Sequence, residues 1–395
     1  MSLSIHPFTE SFLSANVSSY RFRLMNFHEF EMERWQSTWE NKVEFNLSES
    51  GVHPLTLKGV LRDEESNVFD IPLGYGQTNG TIELRKRIAA TYEDANDNNV
   101  IVTNGSSEAN FIALWRLIRD RGEVVFMVPN YMQIWGLAKN LGAKVKTFRL
   151  LESRNEWTPD ISTLSHVVSK KTKVIAICNP NNPTGATLND DDLDEICRIA
   201  RRVNAWILSD EVYQGSEVDG EVTPSIWNHY DNVLAISGLS KAYGLPGLRI
   251  GWIVTKKQMA TKLWANHDYT SIAPNVLSDY IAKKVMEPDT RTKILTRTRS
   301  ILTQNLPVIK EWVNRNNDHF HFIQPKAGAI SYIKYNFHIK SKQFANRLLR
   351  EKKTLIVPGA HFRMDRYIRI GYGQPADYLT AGLKRIDELV TTIKR

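Results

Sequence analysis

The stretch "SGLSKAYGLPGLRIGW", Ser237 to Trp252, sets one lysine, Lys241, among small hydroxyl-bearing residues. It supplies an arginine, Arg249, eight positions later with two glycines between. A lysine on a solvated surface needs no such setting, because water satisfies its charge wherever it points. The apolar run "NVLAISG" leads into the stretch and "LRIGWIVT" closes it, so Lys241 falls in a polar turn between two expected strands. Working outward, "VIVTNG", "VVFMVPN", "TKVIAICNP" and "AWILSDEVY" repeat the strand pattern. Between the runs, "SEANFIALWRLIRD" and "LNDDDLDEICRIARRVN" carry apolar positions at helical spacing, with Asn189 as the cap of the second. Alternation of this kind predicts an α/β fold: a mainly parallel sheet with helices on both faces and a ligand at the carboxyl ends of its strands. The polar clusters "TNGSS", "NPNNPTG", "SDEVY" and "SGLSK" each lie at or just past such an end.

The chain's 395 residues, 42% hydrophobic and 24% charged, fit a soluble globular protein of two domains. No run of about 18 apolar residues is present to span a membrane, and the first residues lack the pattern of a secretory signal. Cys178 and Cys197 are too few for a disulfide scaffold or a metal–thiolate site, so no metal and a reducing, cytoplasmic setting are expected. The net charge of +8 is dispersed among 43 acidic residues without a basic stripe, which argues against nucleic acid and for small anionic ligands. Residues 1–25, rich in serine, read as a loosely ordered arm, with a transit peptide as the alternative. From about residue 295 the pattern changes to longer helices, a strand pair around "AGAISYIKYN" and "LIVPGAHF", then "YIRIGYG" and a terminal helix. A large domain over 71–294 and a small α+β domain built from 26–70 with 295–395 are expected.

Each cluster suits a particular chemistry. Asn182, in a loop stiffened by prolines, offers an amide donor, although an ordinary Asn-Pro turn explains "NPTG" as well. Asp210 follows a strongly apolar strand. A carboxylate there needs a partner, such as a protonated ring nitrogen, unless it caps the next turn. Gly105, Ser106 and Ser107 open a helix after a strand, where free N–H groups and the positive helix end bind phosphate. Arg249 offers a bidentate second phosphate contact. Lys241, in a partly desolvated cleft beside cations, is expected to have a lowered pKa and to form a Schiff base with an aldehyde whose phosphate lies nearby.

Together these motifs resemble the fold type I pyridoxal 5′-phosphate enzymes, specifically the class I and II aminotransferases, from about residue 44 to the C-terminus. The resemblance implies that Lys241 is the internal-aldimine lysine and that Arg249 and Ser240 are phosphate ligands, with Ser237 the alternative to Ser240. The position three before the lysine, often serine in the family, is Gly238 here. It implies that Asp210 pairs with the ring nitrogen, while Tyr213 and Asn182 donate to the ring's phenolic oxygen. Tyr131 would stack on the ring, and Ser106 and Ser107 would hold the phosphate. Tyr75 in "GYGQTNGTIELR" resembles the tyrosine donated across a homodimer interface to the neighbour's phosphate. Arg369 in "YIRIGYG" matches the arginine that clamps the substrate carboxylate, with Gly51 close by.

The activity so implied is transfer of an amino group from an L-amino acid to a 2-oxo acid. A second reading comes from "NLSESGVHP", which is similar to the N-terminal segment of the pyridoxal phosphate-dependent arginine oxidases, where a histidine lies near the substrate. His53 would then be catalytic and oxygen a reactant, while a turn held by Pro54 is the simpler explanation. A lyase shares the early steps. A transcriptional regulator would need a winged DNA-binding domain, for which about 45 leading residues are too few. No second arginine for a dicarboxylate side chain can be located, whereas Glu29, Glu31, Glu33 and Glu49 could serve a basic substrate or simply be solvated.

Overall fold

The structure is a computed structural model describing residues 27–61, 66–118, 122–153, 155–220 and 222–393; the expected arm over 1–25 lies outside these residues. An eight-stranded sheet forms the centre, in the spatial order Val100–Thr103, Gly251–Val254, Val233–Gly238, Trp206–Asp210, Thr172–Cys178, Glu123–Val128, Lys144–Glu152 and Trp157–Pro159. All contacts between neighbours from Val233–Gly238 to Lys144–Glu152 are parallel. Gly251–Val254 runs antiparallel to both of its neighbours, so Val100–Thr103 points the same way as the central strands. The ends of Thr103, Cys178, Asp210 and Gly238 therefore lie along one edge. The five central residues of Val124–Val128 and the run Ile175–Cys178 are buried on both faces, which is why these strands read as unbroken apolar runs rather than alternating ones.

Helices cover the sheet. Asp190–Arg201 starts at Asn189, whose side chain accepts from the Asp192 N–H while Asp192 bonds back to the Asn189 N–H. That reciprocal capping box fixes where the helix begins. The helix turns Leu193, Ile196 and Ile199 inward, each worth roughly 1.5–3 kcal/mol of apolar burial. Ser106–Leu117 packs on the opposite face, with Ile112, Ala113 and Leu114 fully buried against Ile253 and Leu234.

A smaller four-stranded antiparallel sheet, ordered Phe320–Phe322, Ile330–Tyr335, Tyr367–Gly371, Val357–Pro358, packs with the helices Pro288–Arg315, Ser341–Lys352 and Ala376–Val390. The apolar segment Leu355–Phe362 does not pair with Ile330–Tyr335 as expected. Tyr367–Gly371 lies between them, and the segment breaks at Pro358 into a 3-10 turn over Gly359–Phe362. The N-terminal segment is shared between two cores: Leu47 and Val52 join the cluster of the small sheet, whereas Met32, Val60 and Leu61 join that of the large sheet. Phe45–Asn46 pairs in parallel with Thr354–Leu355. No helix among the described residues is long and apolar enough to cross a membrane.

Candidate active site

Along the shared strand edge lies a cavity of about 340 Å³, lined by Glu49, Ser106, Ser107, Tyr131, Asn182, Asp210, Tyr213, Ser240, Lys241 and Arg249 among others. Residues that sequence reasoning drew from five separate motifs thus meet in one space. A second cleft of about 400 Å³, around Asn189, Asp192 and Thr223, contains none of them.

Lys241 follows the end of Val233–Gly238, and its Nζ lies 3.2 Å from Glu49 Oε1. That same oxygen accepts from the backbone N–H groups of Ser50 at 2.8 Å and Gly51 at 2.9 Å. The expectation of a lowered lysine pKa is corrected here. Burial pulls the amine down, but the charges of Glu49 and Tyr213 outweigh it, and the net direction is up. The reciprocal effect is large: the Lys241 charge, opposed by burial and helped by the Gly51 N–H, holds Glu49 at about 2. Gly51 lies against this pair; a Cβ there would be 3.5 Å from Glu49 Oε1 and 3.7 Å from Lys241 Cδ.

Asp210 closes the buried strand Trp206–Asp210 at 4% exposure. Burial raises its carboxyl to about 6, against the smaller opposing effects of the Val212 N–H, Asn110 and Lys241. The Val212 N–H reaches it at 3.3 Å. Tyr213 is 3% exposed, and its hydroxyl has no hydrogen-bond partner among the described residues. Burial raises its pKa, with the Lys241 and Arg369 charges opposing. A buried phenol facing a cavity without an acceptor calls for one from a ligand.

The helix Ser106–Leu117 begins at this cavity with Gly105 at φ 87° as its N-cap and no side chain capping it. Glu108 in the first turn is turned aside. It accepts from the Asn104 N–H, Thr270, Ser271 and His267, and these bonds overcome burial to hold it at about 2. The open helix start is a ready anion site. Arg249 leans over it so closely that a Cβ at Gly105 would meet the guanidinium at 2.4 Å, and a Cβ at Gly251 would meet the Ser106 backbone nitrogen at 2.3 Å. Ser240 lines the cavity, while the Ser237 hydroxyl is turned inward and donates to the Glu211 carbonyl at 3.2 Å. Gly238 has its own reason, since a Cβ there would be 2.8 Å from the Ile250 carbonyl oxygen.

Tyr131 contacts Phe30 edge-on and donates to Glu33 at 2.9 Å. Arg369 is fully buried just outside the cavity wall. Its guanidinium donates to the Ser48 backbone carbonyl at 2.6 Å and to the Asn182 side-chain Oδ1 at 2.9 Å, and among the described residues its Nε has no partner and no carboxylate pairs with it. An unpaired buried guanidinium is an anion site in waiting.

Tyr75, expected to serve a neighbouring subunit's site, is 85% exposed and not among the residues lining this cavity, and His53 does not line it either. His53 faces Arg297, whose Nη2 reaches His53 Nδ1 and the His53 carbonyl, both at 2.9 Å. Burial and then the Arg297 charge lower the imidazole's pKa. Sequence reasoning missed Gln133, which carries Ser107 and Asn110 through its amide, and Cys178 at the cavity floor. Neither stands in a recognisable motif, though Cys178 does end a strand.

The orphan phenol, the uncompensated Asp210 and the glycine-lined cradle under Arg249 all fit a phosphorylated pyridine aldehyde. This is the architecture of the fold type I enzymes that work with pyridoxal 5′-phosphate. A family model for aminotransferase class I and II matches residues 46–386, and the chain belongs to that family. A solved aminotransferase structure from Streptococcus suis, described as pyridoxal phosphate-dependent, is similar with a TM-score of 0.87 and 31% identity, covering 94% of this chain and 99% of that one. Among curated proteins, capreomycidine synthase from Streptomyces vinaceus is 28% identical over 92% of this chain and 94% of its own length. The aspartate aminotransferase of Thermotoga maritima is 28% identical over 80% and 84%.

Proposed function

We propose that this pyridoxal phosphate-dependent enzyme moves the amino group of an L-amino acid to a 2-oxo acid, with Lys241 as the covalent anchor and the proton carrier. The carrying observation is the meeting of Lys241, Asp210, Tyr213, Asn182 and the open Ser106 helix start around one cavity. The cofactor supplies an electrophilic aldehyde and a ring that accepts electrons. Lys241 Nζ would hold that aldehyde and, once freed by the substrate's amine, would be the base placed to take the proton from the substrate Cα and the carrier that gives it back. Asp210 keeps a proton on the ring nitrogen. Tyr213 Oη and the Asn182 amide donate to the ring oxygen, and Tyr131 covers the ring. Ser106, Ser107, Ser240 and Arg249 hold the phosphate. Arg369 takes the substrate carboxylate, with Gly51 beside it.

Tyr75, exposed and flanked by Gly74 and Gly76 in open space, supports a homodimer in which it reaches the neighbour's phosphate. The cavity lining carries Glu33 and Glu40 and, among the described residues, no cation besides Lys241 and Arg249. That lining favours a cationic side chain over a dicarboxylate. Borohydride treatment of the loaded enzyme should fix the cofactor to Lys241, and attachment to another lysine would end the assignment. A screen of amino acids in single turnover should show one equivalent of 2-oxo acid released without oxygen uptake. Oxygen uptake with arginine, lost in His53→Ala, would instead establish an oxidase.

A further inference from the structure

Glu49 is the one side chain that hydrogen-bonds to Lys241 among the described residues, and it comes from far along the chain, two residues before Gly51. Its carboxylate is not free to turn away, because the Ser50 and Gly51 N–H groups grip the same oxygen that faces the lysine. The other charged or titratable groups facing Lys241 are Tyr213 and Asp210 from the strand-end loop and Arg369 from Tyr367–Gly371. Tyr213 and Asp210 favour a charged amine, Arg369 opposes it, and none is within hydrogen-bonding distance. We propose that Glu49 is a positioning residue that holds the Lys241 amine as an ammonium, aimed into the cavity, whenever that amine is not bonded to the cofactor, and that takes its surplus proton when the bond forms.

The proposal rests on the reading of Lys241 as the anchor. In that condensation a C–N bond forms and the aldehyde oxygen leaves as water with two of the ammonium's hydrogens. The third proton passes to Glu49 Oε1. Loss of the lysine charge raises the affinity of Glu49 for that proton, since that charge is the largest influence holding Glu49 acidic.

The test uses the cofactor-free protein, so it does not depend on which reaction follows. The acylation rate of Lys241 by acetic anhydride, followed by mass spectrometry across a pH series, reports the amine's own titration. Glu49 favours the ammonium, so Glu49→Gln should move that titration down by about one unit, giving roughly tenfold faster labelling in the pH range below both midpoints. Glu49→Asp, which keeps a carboxylate but draws it back, should fall between the two and should remain folded if the amide variant does not. The rate of cofactor capture should shift with the same midpoint, and Glu195→Gln, at an exposed carboxylate paired with Arg198 and outside the cavity lining, should leave it alone. An unchanged Lys241 midpoint in both Glu49 variants would overturn the proposal. Borohydride attachment elsewhere would defeat the anchor assignment without altering this titration.

Discussion

With its carboxyl buried beneath the cavity and one 3.3 Å backbone contact to accept, Asp210 holds its proton to about pH 6. An acid raised from 3.8 to about 6 contributes most to stability below its unfolded value and loses that contribution as pH rises through its folded one. The ionised form is thus a burden on the cofactor-free fold of up to about 3 kcal/mol. Asp210→Asn should therefore stabilise the cofactor-free protein near pH 8 by up to about 3 kcal/mol, with the gain fading as pH falls from about 6 to about 4. The same variant should lose more than about tenfold in turnover, because an amide cannot keep the ring nitrogen protonated. Denaturant melts at the two pH values and steady-state rates check both halves. A variant equally stable with the wild type at both pH values would mean that Asp210 is already compensated. A residue that weakens the empty fold while serving the loaded one is what a binding site optimised for a cation would contain.

The proposed phosphate cradle is built from elements rather than side chains: the start of Ser106–Leu117 meets the strand Gly251–Val254 with no room for a Cβ between them. Gly251→Ala puts a methyl 2.3 Å from a backbone nitrogen, so the helix start must move. A loss of roughly 1–3 kcal/mol in stability is expected. Cofactor affinity should drop by at least about tenfold, about 1.4 kcal/mol, read by titration of the cofactor-free variant. Legibility at this scale depended on burial. Doubly buried strands such as Val233–Gly238 announce themselves as apolar runs, and polar residues at their ends then locate the site. Lys144–Glu152 and Trp157–Pro159 were not read as strands because they form the sheet's margin, where Lys144, Arg149 and Leu151 are exposed and no apolar run survives. The pairing of Glu49 with Lys241 spans 192 residues and that of Arg369 with Asn182 spans 187. No local pattern encodes such contacts, so the sign of the lysine's pKa shift could not be read before the fold was known. Glu33 was legible as an acid near the site, but its bond to Tyr131 was not.

Over the whole molecule, large apolar side chains are left outside in the same region of the sequence as Tyr75: Phe69 is 89% exposed and Leu73 77% exposed. Side chains of this size remaining in water are what the proposed homodimer contact would cover. If Tyr75 completes a neighbour's site, mixing Tyr75→Phe with Lys241→Ala subunits yields heterodimers with one site carrying both defects and one carrying neither. Activity should then reappear in the mixture beyond the sum of the separate variants, and an active monomer in sedimentation would defeat the scheme. The helix Glu31–Trp39 ties these scales together. Met32 is embedded in the core of the large sheet, while three residues on, Trp35 packs on the other core and donates its indole N–H to the Ile356 carbonyl at 2.8 Å. Nine residues thus act as a tie-rod between two bodies, with Glu33 reaching from it to the cavity lining. Neither body can swing without carrying or bending the rod. A molecule that pulls on Glu33 as it enters would therefore load the same joint along which the two bodies would have to move.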